Sequence, residues 1–277
     1  MSVNDAYGFP LGRNPYGRPV NLDTWNRANN NMLITGATGS GKTIAMQHIL
    51  LQQFYRGVVP IVIDLNREYK DLCKDLGGYW VDGDTDYVTC PPEVLSAKFI
   101  VFDMYDLRKA SEELRYSHYS KVLSWAWNRI SASTDERVML IIDDFYKFGL
   151  GNSRYSVMDT QQVEGYRDAL FKQFAKVYHG VKYYNSGTYI ITNHIDTDIS
   201  ALARNTSYLL LMAVAHRQVK SEIILDIHGI GEHERRFLAQ GVKWTALLIA
   251  GRDTEIVSIE LPDDSVSLIK PRKWRFF

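Results

Sequence analysis

Eight consecutive residues, Gly36-Ala37-Thr38-Gly39-Ser40-Gly41-Lys42-Thr43, carry the chemistry most easily read from this chain. Their spacing is G-x-x-x-x-G-K-[ST], with an apolar run just before it and an amphipathic segment opening at Lys42, the setting in which such a loop cradles phosphates. Glycines are needed because backbone N–H groups must close around a phosphate in conformations that are costly for residues with a Cβ. Lys42 offers a mobile positive charge to the β- and γ-phosphates and Thr43 a hydroxyl for magnesium. The start of the following helix adds a partial positive charge. Gly36 to Thr43 is thus the expected site for ATP and Mg2+.

Such a loop needs an acid from a second strand. Val138-Met139-Leu140-Ile141-Ile142 runs unbroken into Asp143 and Asp144. Asp143 is expected to hold magnesium, and Asp144 to stand where a hydrolytic enzyme keeps the carboxylate that orients or deprotonates the attacking water. Acids are also ordinary caps at strand ends. Glu68, following Asp64 at the tip of another strand, is the rival for the water, unless it merely pairs with Arg67 or Lys70. A third run, Thr188-Tyr189-Ile190-Ile191-Thr192, ends in Asn193, His194 and Asp196. Asn193 is the preferred γ-phosphate sensor there, with a plain strand-end cap as the competing reading. The other histidines show no metal spacing, and His228 with His233 reads as a loop pair.

The elements that must hold these residues alternate. Strands are expected at Met32 to Thr35, Ile61 to Asp64, Phe99 to Asp103, Val138 to Asp143, Thr188 to Thr192, Tyr208 to Val214 and Ala246 to Ala250. Several are apolar at successive positions, as where both sheet faces are covered. Helices are expected at Lys42 to Arg56, Arg67 to Leu76, Ala110 to Ser131, Val163 to His179 and Gly231 to Gln240. This order predicts an α/β fold with a doubly wound, mostly parallel sheet. Trp244 to Gly251 and Thr254 to Leu261, separated by a few turn residues, predict a small C-terminal antiparallel hairpin. One domain over 1–277 is expected, with an opening segment 1–30 and a closing part 242–277.

Composition narrows the partners. The 277 residues carry 32 Lys and Arg against 32 Asp and Glu, so no global field draws the chain to nucleic acid or an anionic membrane, and any DNA contact must be local. The apolar runs fall short of the roughly 18 residues of a membrane span, and no secretory signal opens the chain. Cys73 and Cys90 form no metal or redox pattern, which fits a reducing compartment. The tail Lys270 to Phe277 mixes basic and aromatic residues as single-strand binders do, although a frayed or docked terminus explains it as well.

An ordered set of segments now resembles a known family. These are Gly12-Arg13-Asn14-Pro15-Tyr16-Gly17 through Asn31-Met32-Leu33-Ile34, the phosphate loop, and Ile63-Asp64-Leu65-Asn66-Arg67-Glu68-Tyr69-Lys70-Asp71-Leu72 into Gly77-Gly78. Val101-Phe102-Asp103-Met104, the Asp143 run, and Lys182-Tyr183-Tyr184-Asn185-Ser186-Gly187 leading to Thr192-Asn193 follow. The chain is similar to the C-terminal motor domain of the ATPases of type IV secretion and conjugation machines, the fourth VirB ATPase and its TraC and TraE relatives, in the HerA and FtsK group. The resemblance implies a RecA-like fold, ATP hydrolysis and a homo-oligomer in the form of a hexamer. It also implies inner-membrane channel components and DNA as partners, and a cytoplasmic position at the inner face of the cell membrane. Asp144 stands for the family's usual Glu, Asn193 for its Gln, and Val181 where an Arg often precedes the position of Lys182, leaving Lys182 to supply that charge. The large N-terminal domain of full-length relatives is not in this sequence, and the helical insertion before Asp143 is short. The leading reading is an energising motor of DNA or protein transfer. A non-hydrolysing ATP-binding assembly subunit and a double-stranded DNA translocase or packaging ATPase are the alternatives, and a small-molecule kinase is disfavoured by the lack of an arginine-rich lid segment.

Overall fold

The computed structural model describes residues 8–25, 27, 29–83, 92–132, 135–146, 160–193, 202–212 and 229–269. Its strands are β1 (Phe9–Arg13), β2 (Pro19–Leu22), β3 (Met32–Thr35), β4 (Val59–Asp64), β5 (Tyr79–Val81) and β6 (Ile100–Asp103). They continue with β7 (Val138–Ile142), β8 (Gly187–Thr192), β9 (Tyr208–Met212), β10 (Thr245–Ala250) and β11 (Asp253–Ile259). Among the described residues they form one 11-stranded sheet in the order β2-β1-β11-β10-β9-β3-β8-β7-β4-β6-β5. From β9 to β5 every pairing is parallel, and from β9 outward to β2 every pairing is antiparallel.

The apolar strands serve two cores. On β3, Leu33 faces one core while Met32 and Ile34 face the other, and β7 divides Leu140 and Ile142 from Met139 and Ile141 in the same way. This two-residue alternation with no polar face is the reason a parallel sheet reads as a continuous hydrophobic run. The helices are α1 (Lys42–Phe54), α2 (Lys70–Asp75), α3 (Pro92–Ser96), α4 (Glu112–Ser131), α5 (Thr160–Gly180), α6 (Glu232–Ala239) and α7 (Asp263–Leu268). Met46, Ile49 and Leu50 of α1 pack with Leu72 of α2 on one face, and Tyr119, Leu123 and Phe174 of α4 and α5 pack on the other.

Two boundaries moved for physical reasons. The second helix starts at Lys70 rather than Arg67, because Arg67 has φ 58, a left-handed conformation that cannot continue a helix. The C-terminal hairpin forms as β10 and β11, and the opening segment adds β1 and β2 to its outer edge, so the antiparallel part is larger than the hairpin alone. Pro, Gly and Asn in those opening strands break the alternation that would reveal them in sequence. Among the described residues no helix is long and apolar enough to cross a membrane.

Candidate functional site

Because β9, β3, β8, β7, β4 and β6 run parallel, their carboxyl ends share one sheet edge, where ligands bind in open α/β folds. β3 delivers the glycine loop to that edge, β4 delivers Asp64 to Tyr69, β7 delivers Asp143 and Asp144, and β8 delivers Asn193. β8 lies between the loop strand β3 and the acid strand β7, so Asn193 stands between phosphate loop and acids. Its Nδ2 reaches Thr38 Oγ1 at 3.5 Å, the long limit of a hydrogen bond. Asn31, at the other end of β3, accepts from Thr188 N at 2.8 Å and donates to Tyr178 O at 2.8 Å, which locks β3 and β8 in register.

The loop has the backbone its glycines allow. Gly41 adopts φ 106 at the start of α1, and a Cβ on Gly36 would lie 2.9 Å from Met212 O. Lys42 Nζ donates to Gly36 O and Ala37 O, both at 2.9 Å, so its ammonium lies over the loop. Burial lowers the Lys42 pKa, while Asp143, Asp144 and Glu68 pull it back up. Those three carboxylates are therefore close enough to be felt at the Lys42 ammonium.

Asp143 is 3% exposed, and burial, reinforced by Glu68, Asp64 and Asp144, holds its carboxyl well above the usual carboxylate range. Among the described residues its Oδ2 has no hydrogen-bond partner, and the buried Tyr69 hydroxyl lies beside the same carboxyl group and favours its ionised form. A buried acid crowded by other acids is ionised at neutral pH only with a cation beside it. The orphaned oxygen therefore fits a divalent cation, for which Thr43 in the first turn of α1 supplies the hydroxyl.

Asp144 sits in a left-handed conformation, φ 57, which Asp tolerates better than bulky residues, and its Oδ2 accepts from Asn66 Nδ2 at 3.3 Å. Phe145 N donates to Ile191 O at 2.8 Å and ties this turn to β8. Sequence reasoning missed Asn66, although Asp64-Leu65-Asn66 carries the signal of an Asx turn. Asp64 accepts from Asn66 N and Tyr69 N, both at 2.9 Å, and so shapes the turn that presents Glu68. Arg67 and Lys70 do not neutralise Glu68. Arg67 pairs with Asp103 at 2.6 Å and Asp106 at 2.7 Å, and Lys70 lies over the Trp80 ring.

Arg67 braces this turn from outside the site. Arg67→Ala leaves the buried Asp103 carboxylate without its cation, and thermal or denaturant unfolding should show a loss of about 1–3 kcal/mol, the cost of stranding a buried polar group. A loss below a few tenths would remove the brace from the account.

Lys182 is not brought to the site. It precedes β8, at the opposite end of that strand from Asn193, and lies exposed over the Tyr183 ring at 5.0 Å. The six residues of β8 span roughly 20 Å, beyond the reach of a lysine side chain. Val181 is fully buried in the core that α4 and α5 cover. His194, Asp196, His228, Cys90 and the tail from Lys270 lie outside the described residues.

The TraG P-loop domain matches residues 5–202. Protein TraC of Escherichia coli is 37% identical over 60 residues, which is 22% of this chain and 7% of TraC. VirB4 of Thermoanaerobacter pseudethanolicus superimposes with TM-score 0.77 at 20% identity, over 96% of this chain and 99% of that one. A genome packaging NTPase from Sulfolobus turreted icosahedral virus 2, in complex with AMP, gives TM-score 0.58 at 13% identity over 85% of this chain and 100% of that one. At such identities the structural likeness is one of fold. The match over residues 5–202 is the wider finding, and by it the chain belongs to the TraG P-loop domain family.

Proposed function

We propose that this chain binds ATP with magnesium and hydrolyses it as the motor domain of a machine that transfers DNA or protein. The observation that carries the reading is the convergence of Lys42 with Asp143, Asp144 and Glu68 at one sheet edge, beside a loop whose Gly36, Gly39 and Gly41 adopt positive φ. A divalent cation held there would offset the negative charge that develops on the phosphates in transfer. The loop amides and Lys42 hold the triphosphate, Thr43 and Asp143 are the ligands offered to the cation, and Asn193 reports the γ-phosphate. Asp144 orients a water whose oxygen attacks the γ-phosphorus as the bond to the β–γ bridging oxygen breaks. ADP leaves with that electron pair, and the water's proton passes through the carboxylate to solvent or phosphate.

The composite site extends the reading to assembly. Arg67 and Lys70, which share this sheet edge with Lys42, are engaged with Asp103, Asp106 and the Trp80 ring, while Lys182 is exposed at the far end of β8, where a neighbouring subunit's site rather than this one is within its reach. A homo-oligomer, in the form of a hexameric ring at the cytoplasmic face of a membrane channel, supplies that neighbour. Specific ATPase activity should therefore rise cooperatively with protein concentration. Activity that stays constant on dilution to a monomer, verified by analytical ultracentrifugation, would refute the shared site.

The likeness to a genome packaging NTPase favours a second reading, translocation of double-stranded DNA. Phosphate release measured with and without duplex DNA separates the two, since a translocase is stimulated by duplex and a channel energiser is not. No phosphate release under any condition would leave a nucleotide-binding assembly subunit.

A further inference from the structure

Trp244 stands apart from both cores. It immediately precedes β10 in a left-handed conformation, φ 65, which a bulky residue adopts only under constraint. Its backbone is held at both ends: Trp244 N donates to Ser40 O at 3.3 Å, and Trp244 O accepts from Ile259 N at 2.7 Å. The hairpin thus pins this residue onto the phosphate loop. Its indole comes to 4.0 Å from the place where Gly41 would carry a Cβ, and Met212 Cε to 3.4 Å. Yet Trp244 is only partly buried and, among the described residues, belongs to neither apolar cluster. A strained tryptophan beside a phosphate loop, outside the cores, has no packing account.

Its side of the loop is the informative point. Lys42 feels Asp143, Asp144 and Glu68, all carried by strands on the β8-β7-β4 flank of β3. The terminal phosphate and its cation belong on that flank. A nucleotide extended from there places its nucleoside towards the other flank, β9 and β10, where Met212 and Trp244 lie.

We propose that Trp244 is the platform on which the nucleobase of the bound triphosphate stacks. The proposal rests on the nucleotide-binding reading above and deepens it. An indole face accepts any base, because every base has a π-face, so Trp244 raises affinity for ATP and GTP alike. Its pinned backbone holds the ring ready before the nucleotide arrives, which lowers the ordering cost of the stack.

The test compares ATP, GTP and inorganic tripolyphosphate, each with magnesium, by calorimetry on three variants. Trp244→Gly removes the ring at a position whose φ glycine accepts without strain. Trp244→Leu keeps apolar bulk without a π-face, and Trp244→Phe keeps a smaller ring. Glycine and leucine variants should each weaken ATP and GTP by roughly five- to a hundredfold, the range for losing one base–aromatic stack, with tripolyphosphate changed less than about twofold. The phenylalanine variant should recover most of the nucleotide affinity. Equal losses for tripolyphosphate, or leucine binding nucleotides as well as phenylalanine does, would overturn the platform and leave only a prop for the loop. A wild type that binds tripolyphosphate and ATP equally sinks this inference alone, whereas one that binds neither sinks the nucleotide reading with it.

Discussion

Lys42→Ala should weaken ATP by roughly ten- to a hundredfold or more while leaving the melting temperature within a few degrees of wild type. The affinity term comes from removing a charged donor to two phosphates, each such hydrogen bond being worth about 1.5–3 kcal/mol. The fold term is small because Lys42 donates only to two carbonyls of its own loop, and burial already opposes its charge. Removing it also leaves the clustered acids less compensated, so residual ATP binding should depend more steeply on magnesium. Calorimetry with magnesium on the folded variant measures both effects. Unchanged ATP affinity would remove the phosphate-site assignment, and with it the motor reading.

How far the sequence alone reached follows from what kind of force acts at each residue. The loop is legible because its requirement is local: glycines at fixed positions with Lys42 and Thr43 allow one backbone shape. The central strands are legible because a sheet buried on both faces leaves unbroken apolar runs such as Val138 to Ile142. β1 and β2 are not, since Pro, Gly and Asn break their alternation and β1 joins the sheet only through β11, more than two hundred residues away. The three-residue β5 is too short to show a period. In the site, Asp143, Asp144 and Asn193 follow apolar runs and could be placed at strand tips from order alone. The role of Arg67 could not, because a left-handed arginine bridging to Asp103 and Asp106 depends on β4 and β6 being neighbours. In the sequence Trp244 marks only the start of a hairpin, and its contact with the loop exists only because β10 pairs with β9 beside β3.

Asp144→Asn should preserve ATP and magnesium binding yet lower turnover by roughly a hundredfold or more, within the range for a positioned general base. Asparagine tolerates the left-handed φ of 57 as aspartate does, so the turn after β7, tied to β8 through Phe145 N, keeps its shape. The bond from Asn66 Nδ2 aims the Asp144 carboxylate, and the substituted amide retains an acceptor for it, so what disappears is the base and the charge. Glu68 is the rival because Arg67 and Lys70 are engaged elsewhere, leaving its charge to act on Lys42 and Asp143. That charge helps hold the cation ligand's proton on, and a cation displaces it. Glu68→Gln should therefore shift the magnesium concentration for half-maximal activity severalfold while leaving kcat within about threefold. The two variants thus separate along different axes, kcat for Asp144 and cation dependence for Glu68. An active Asp144→Asn beside a Glu68→Gln with no turnover at saturating magnesium would move the water to Glu68. Asp is one methylene shorter than the Glu usual in this family, and misplacement by about 1 Å can itself cost roughly a hundredfold. Asp144→Glu is therefore the third arm: if the left-handed turn has already carried the backbone inward, the longer side chain overshoots and slows turnover, and a faster Asp144→Glu would mean that the turn does not compensate for the shorter acid.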